Sequence, residues 1–117
     1  MHEMSIATTL IGQVLHQAAA HDLERVERIR LEIGAQRLVV YEAMRMAFSA
    51  VAAGTCAAGA QLELVEIPVR ARCRACVTEF APAIDDYRCP DCGEADVLFI
   101  AGDDIVLAAL EGERATD

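Results

Sequence analysis

Four of the five cysteines in this chain fall into two pairs, CRAC and CPDC, and this pattern constrains the fold more than any other feature. Two residues separate the cysteines within each pair, and twelve residues separate Cys76 from Cys89. Such a spacing lets a tight turn place both sulfur atoms on one ion, and two turns complete a tetrahedron with sulfur about 2.3 Å from the metal. The pattern therefore predicts a structural zinc ion bound by Cys73, Cys76, Cys89 and Cys92.

The spacing alone leaves two other roles for the cysteines open. A redox dithiol is one, although a single pair would suffice for it, and an iron–sulfur cluster is the other. A four-cysteine zinc site leaves no position for water, so it would be structural rather than hydrolytic, and metal binding would contribute on the order of 10 kcal/mol to folding. Gly93 can adopt the positive φ that follows such a turn, whereas Val77 at the equivalent position is less suited to it.

Hydrophobic periodicity predicts the rest of the fold, which is of the α/β (α+β) class: a small sheet of about three strands with two helices, plus a zinc-ribbon-like four-cysteine insert. In the first strand Ile29, Leu31 and Ile33 alternate with charged residues and are expected to be buried. The insert would lie between two strands that are neighbours in the sheet. The predicted helices cover residues 4–20 and 40–53, and the predicted strands cover 25–34, 61–69 and 104–110.

The length of 117 residues is typical of one domain with a small appendage. We expect residues 1–69 and 99–112 to form an α/β domain that includes the N-terminus, residues 70–98 to form the zinc-binding domain, and residues 113–117 to be a disordered tail. No segment approaches 18 uncharged apolar residues, and the N-terminus lacks a basic start followed by an apolar stretch. We therefore expect a cytoplasmic protein that does not contact a membrane.

The formal net charge of −9 makes nucleic acid an unexpected partner, because phosphate repels an acidic chain. All ten basic residues are arginine, and several of them surround the cysteine pairs. These arginines favour an alternative function, a zinc-ribbon interaction module that binds protein or nucleic acid. The scarcity of aromatic residues opposes the nucleic-acid version of that hypothesis.

The chain begins MHEMS, and its first residues form a candidate site for a second metal. The α-amine of Met1, the amide nitrogen of His2 and the His2 imidazole can chelate one ion in succession. Three nitrogens in a plane suit Ni(II) or Cu(II) better than Zn(II), and Glu3 can add an oxygen or its amide nitrogen. The alternative is a solvated histidine without a ligand. Imidazole and amine lose protons on binding, so we expect nickel affinity to fall below pH about 6.5.

A resemblance supports the metal-binding hypothesis. MHEMS, RVERIRLEIGA, EAMRMAFSAVAAGT and the doubled cysteine pairs occur in one order over residues 1–110. This arrangement resembles the HypA/HybF family of hydrogenase-maturation nickel metallochaperones. The resemblance implies that Met1, His2 and Glu3 bind Ni(II) for transfer, and that the four cysteines hold structural Zn(II).

The same resemblance implies a function without catalysis. The protein would deliver Ni(II) to the large subunit of [NiFe]-hydrogenase together with a HypB-type GTPase, and some family members also serve urease. It leaves open whether the chain forms a homodimer. Tyr41, Cys56 and Val77 depart from residues usual in the family. We expect Cys56 to be a small buried residue, and Met44 and Met46 to belong to the core or its margin.

Overall fold

The structure is a computed structural model, and it describes residues 2–83 and 85–114. The described chain contains two helices, a 3₁₀ turn and six strands. In chain order these are α1 (His2–Ala20), β1 (Leu23–Gly34), the 3₁₀ turn (Ala35–Arg37), α2 (Tyr41–Ala52), β2 (Gln61–Ile67), β3 (Arg70–Cys73), β4 (Glu79–Phe80), β5 (Val97–Ala101) and β6 (Ile105–Arg114).

The elements form two three-stranded sheets, one of order β2-β1-β6 and one of order β4-β3-β5. The chain divides into two compact units. The first comprises the described residues within 1–32, 39–65 and 106–117, and the second comprises those within 33–38 and 66–105. The predicted fold class, with two helices, a three-stranded sheet and a four-cysteine segment, is confirmed.

The two helices of the first unit pack against each other. In α1 the buried side chains recur at helical spacing, and they belong to Ala7, Leu10, Ile11, Val14 and Ala18. The helix begins at His2, two residues before the predicted start. Ala53 is the C-cap of α2, and Gly54 follows with a φ of 79°, a conformation that glycine adopts without steric cost.

Strand β1 alternates as predicted, with Ile29, Leu31 and Ile33 buried. Val26 is also buried, so the alternation shifts phase near the start of the strand. The strands that flank the cysteine segment, β2 and β6, were expected to be neighbours, and this is wrong. They pair with opposite edges of β1, which is therefore the central strand of the sheet.

Strand β6 extends further than predicted. Glu113 and Arg114, expected in a disordered tail, form the end of the strand, whereas residues 115–117 lie outside the described part of the chain. Gly112 explains how β6 approaches the central strand closely. A Cβ atom at this position would collide with the backbone carbonyl of Arg25, so no larger residue fits without a shift.

The second unit is built on β3, which pairs antiparallel with β4 and with β5. It is larger than the predicted segment 70–98, because β5 continues the pairing to Ala101 and the 33–38 segment joins it through backbone hydrogen bonds. The N–H of Gly34 donates to Asp104 O at 2.7 Å, and the N–H of Gln36 donates to Gly102 O at 2.9 Å. Two of the four cysteines belong to its small buried cluster, which consists of Ala71, Cys73, Phe80 and Cys89.

Within residues 2–83 and 85–114, neither helix has the length and apolarity required to cross a membrane.

Candidate metal centres

The two cysteine pairs lie on turns with the same backbone hydrogen bonds. In the first turn, Val77 N–H donates to Cys73 O at 3.0 Å, and Cys73 N–H donates to Thr78 O at 2.9 Å. In the second turn, Gly93 N–H donates to Cys89 O at 2.9 Å, and Cys89 N–H donates to the carbonyl of residue 94 at 2.8 Å. Both pairs therefore form equivalent knuckles, as their identical spacing predicts.

The residue that follows each knuckle has a left-handed backbone conformation. Gly93 has a φ of 78° and Val77 has a φ of 59°. A left-handed conformation costs a β-branched residue on the order of 1–3 kcal/mol, whereas glycine adopts it freely. Val77 is 72% exposed, so its side chain gains little from packing in return. The first knuckle is thus the strained member of the pair.

The four sulfur atoms converge at one point of the second unit. All four lie within 4.8 Å of one another. Cys73 Sγ is 3.5 Å from Cys92 Sγ, and Cys76 Sγ is 3.5 Å from Cys89 Sγ. A tetrahedral zinc ion with bonds of about 2.3 Å needs sulfur atoms about 3.8 Å apart. The observed spacing fits that geometry with small adjustments, and it places the sequence-predicted ligands together.

The thiols have different proton affinities before a metal is considered. Hydrogen bonding by the side chain and backbone of Thr78 lowers the pKa of the Cys76 thiol to about 6. A hydrogen bond from the Glu94 backbone lowers the pKa of the Cys92 thiol, but contacts with the other three sulfurs and burial outweigh it and raise that pKa to about 12. A cation is therefore needed to hold all four sulfurs as thiolates at neutral pH.

Three of the four arginines around the cysteine segment are paired with a carboxylate, and these ion pairs are exposed to solvent. Their positive charge is therefore matched locally, which weakens the hypothesis that this segment binds nucleic acid. Arg70 has no ion pair within the described chain. The pairs are Arg72–Glu79 at 3.0 Å, Arg74–Asp96 at 3.2 Å and Arg88–Asp86 at 3.0 Å.

The N-terminal candidate site is partly described, because Met1 lies outside the described residues. His2 is exposed in the first turn of α1. The Glu3 side chain reaches the start of α2, where its Oε2 accepts the Val40 N–H at 3.1 Å. The Val40 N–H and the N–H of Glu3 itself stabilise the carboxylate and lower its pKa.

The Glu3–Val40 contact is the feature of this site that sequence reasoning missed. The two residues are 37 positions apart, so no local pattern links them. One signal was present: a glutamate or glutamine at the third position of a helix often accepts the N–H of the N-cap residue. In α2 that position is Ala43, so the Val40 N–H needed another acceptor. A carboxylate from a neighbouring helix supplies it.

Two further predictions concern the burial of the α2 methionines and of Cys56. Met44 is fully buried, as expected, but Met46 is 69% exposed and is not part of the core. It points away because it lies two residues from Met44, and residues two apart do not share a helix face. Cys56 is half-buried in the segment after α2, rather than fully buried.

The chain is similar to known proteins along nearly its whole length. A family model described as hydrogenase/urease nickel incorporation, metallochaperone, HypA matches residues 1–112. A hydrogenase maturation factor HypA from Azotobacter chroococcum mcd 1 is 42% identical over 97% of this chain and 100% of that protein. Another, from Roseiflexus sp. strain RS-1, is 39% identical over 99% of this chain and 95% of that protein.

Solved structures show the same likeness. The solution structure of the Ni metallochaperone HypA from Helicobacter pylori has a TM-score of 0.77 and 26% identity, covering 97% of this chain and 99% of that one. A second solution structure of a HypA protein has a TM-score of 0.73 and 27% identity, covering 96% of each chain. The chain therefore belongs to the HypA family of hydrogenase and urease nickel-incorporation metallochaperones, and it is not an enzyme.

Proposed function

We propose that this protein binds Ni(II) at its N-terminus, through Met1, His2 and Glu3, and delivers it to the large subunit of [NiFe]-hydrogenase during maturation. The observation that carries the proposal is the exposed His2 at the first residue of α1, at the end of a chain whose family incorporates nickel. An exposed terminal site can transfer its ion directly to an acceptor, because no buried side chain has to move. Ligand exchange between two proteins requires this access.

The start of a helix also provides backbone nitrogen ligands. The first N–H groups of an α-helix have no intrahelical acceptor, so a metal can replace the amide proton of His2 without breaking a helical hydrogen bond. The positive end of the helix dipole opposes a cation at this position. The nearby Glu3 carboxylate, whose lowered pKa keeps it ionised, offsets that effect.

We assign Glu3 two separate roles. Its carboxylate oxygen holds the Val40 N–H at 3.1 Å and so positions the first turn of α1 against the start of α2. Its backbone nitrogen supplies the further nickel donor. This division lets the ligands bind the ion while the contact between the two helices is kept.

We further propose that the four-cysteine site holds Zn(II) in a structural role. The support is the convergence of four sulfur atoms within 4.8 Å, from two knuckles with matched hydrogen bonds. Bound zinc would stabilise the four thiolates and leave a net charge of about −2 at the site. Because all four ligands come from protein, zinc would fix the second unit in shape rather than take part in chemistry.

The partners follow from the same proposal. The acceptor would be the hydrogenase large subunit, with a HypB-type GTPase assisting the transfer. The description of relatives as hydrogenase maturation factors supports an acceptor of the hydrogenase class. We place these steps in the cytoplasm, since four cysteines arranged as thiolate ligands require a reducing compartment. Light scattering on the zinc-loaded protein measures whether it is a monomer or a homodimer.

A nickel titration of four zinc-loaded proteins tests the proposal: the native chain, His2→Ala, a form with one residue added before Met1, and His16→Ala. His16 is the matched control, because it is an exposed histidine of the same helix. We expect one nickel ion per native chain. Loss of an outer-shell partner typically lowers metal affinity by roughly 10–100-fold. His2→Ala and the extended form remove a direct ligand, so their nickel affinity should fall by more than that. The nickel affinity of His16→Ala should be unchanged.

Two outcomes would contradict the proposal. Equal affinity and stoichiometry in all four proteins would place the nickel elsewhere. Nickel transfer to the metal-free large subunit that is no faster from the loaded protein than from free Ni(II) would show binding without delivery.

A further inference from the structure

One groove on the first unit is lined by arginines. It has a volume of ≈ 540 Å³ and lies along the first sheet. Arg28 and Arg30 enter it from β1, and Arg45 enters it from α2. Because side chains alternate along a strand, Arg28 and Arg30 project from the face opposite to the buried Ile29 and Leu31. This face of the sheet is therefore open to solvent.

The positive charge in this groove is poorly matched by the protein itself. Arg28 makes no ion pair or hydrogen bond through its side chain within the described chain. Arg30 lies 3.9 Å from each of two carboxylates, Glu32 and Glu63, which is the outer limit of an ion pair. Arg45 donates to the carbonyl oxygen of Leu62 at 2.7 Å, which fixes its position without neutralising its charge.

The local balance is opposite in sign to that of the whole protein. Three arginines line the groove with two glutamates, Glu63 and Glu111, so its lining has an excess of one positive charge in a chain of net charge −9. Glu32, beside Arg30, lies outside that lining. Guanidinium groups that converge on one groove repel each other, and a bound carboxylate relieves that repulsion. The groove therefore complements an anionic ligand, although the surface around it does not.

The spacing of the arginines indicates the form of that ligand. Arg28 and Arg30 are two residues apart on one strand, so their Cα atoms are about 6.6–6.8 Å apart. Acidic side chains at alternate positions of an extended peptide have the same spacing. We propose that this groove docks an extended segment of a partner protein in which acidic residues occupy alternate positions. This docking is separate from the proposed nickel site and does not require nickel.

Three hexapeptides with capped ends test the proposal on the zinc-loaded, nickel-free protein by NMR titration of backbone amides. The first alternates glutamate and threonine, the second has the same composition with its glutamates in one block, and the third replaces glutamate by glutamine. We expect the alternating peptide to shift amides around the groove and to bind at least about twofold more tightly than the block peptide. The glutamine peptide should not bind.

Variants on β1 give the matched comparison. Arg28→Gln removes a groove charge that supports no internal contact, and we expect it to weaken binding of the alternating peptide by roughly 3–5-fold. Arg25→Gln changes an exposed arginine of the same strand that lies outside the groove and pairs with Glu27 at 3.2 Å. It should leave binding unchanged. Arg45→Gln should weaken binding as well, and the amide spectrum reports whether the fold is kept.

Several results would overturn this inference. Equal affinity for the alternating and block peptides, or equal loss in Arg25→Gln and Arg28→Gln, would show attraction without a specific site. Inorganic phosphate that binds as tightly as the peptide and causes the same shifts would show a small-anion site instead of a peptide groove. No shift with any peptide would remove the docking surface altogether. None of these outcomes bears on nickel binding, so the two proposals fail separately.

Discussion

The carboxylate of Glu3 accepts the backbone N–H of Val40, at 3.1 Å, and thereby links the first turn of α1 to the start of α2. This bond is the one that a glutamate at the third position of α2 would make in a capping box, where the chain has Ala43 instead. The same link fixes the residue next to His2. A residue expected to be a metal ligand is thus a structural contact between two helices.

This link should depend on pH in a defined direction. The pKa of the Glu3 carboxyl is lowered from 4.5, so the ionised form is favoured in the folded protein. The stabilisation it gives should be fully present above pH about 4.5 and be lost as pH falls through the lowered value. NMR should show the Val40 amide signal moving with the Glu3 titration.

Two variants provide the control for this prediction. Glu3→Gln should remove the low-pH transition of the Val40 amide. Glu42→Gln, which changes an exposed acidic residue in the first turn of α2, should leave it intact. A Val40 amide shift that is flat between pH 6 and 2.5 in the native protein would contradict the proposed link.

Two methionines of α2 should respond very differently to truncation. Met44→Ala should destabilise the protein by about 2–5 kcal/mol, because the side chain is fully buried and its removal leaves a cavity. Met46→Ala should change the free energy of unfolding by less than about 0.5 kcal/mol, because 69% of Met46 is exposed. Urea denaturation of both variants measures this. Comparable losses would mean that Met46 contacts the core.

Strain at Val77 predicts that glycine is better tolerated there than valine. Relief of the left-handed conformation is worth about 1–3 kcal/mol, and the greater freedom of glycine in the unfolded chain costs about 0.5–1 kcal/mol. Val77→Gly should therefore stabilise the zinc-loaded protein by about 1 kcal/mol. The reciprocal change, Gly93→Val, should destabilise it, and thermal unfolding of both variants compares the knuckles. A loss of stability in Val77→Gly would show that the valine makes a contact that offsets its strain.

Zinc affinity should depend on the four clustered cysteines and not on the fifth, Cys56. Structural zinc contributes roughly 10–16 kcal/mol, so removal of one of four thiolates by Cys92→Ser should weaken zinc binding by about 3 kcal/mol. Cys56→Ser should leave zinc affinity unchanged, because Cys56 lies outside the site. Competition with a chelator measures both. Equal retention of zinc in the two variants would argue against a four-sulfur site.

The convergence of the four cysteines and the main elements could be predicted from sequence because their causes are local. A two-residue cysteine spacing determines a knuckle, and the alternation of Ile29, Leu31 and Ile33 determines which face of β1 is buried. The lower suitability of Val77 was also visible, since a β-branched residue occupies the position that Gly93 has in the second knuckle.

The strand order and the Glu3 contact could not be predicted, because both depend on long-range pairing. β2 and β6 each follow a turn and have similar apolar content, so periodicity does not show that β1 lies between them. Exposure of Met46 depends on which side of α2 faces its neighbours. An apolar helix offers more than one side for packing, and tertiary contacts select between them.

The central position of β1 has a consequence for how the protein is made. Its second edge is covered by β6, the last of the strands to leave the ribosome, so the sheet of the first unit cannot be completed during most of translation. The four cysteines all precede β6 and emerge earlier. The chain therefore presents its four sulfur atoms before the unit that carries His2 can complete its sheet.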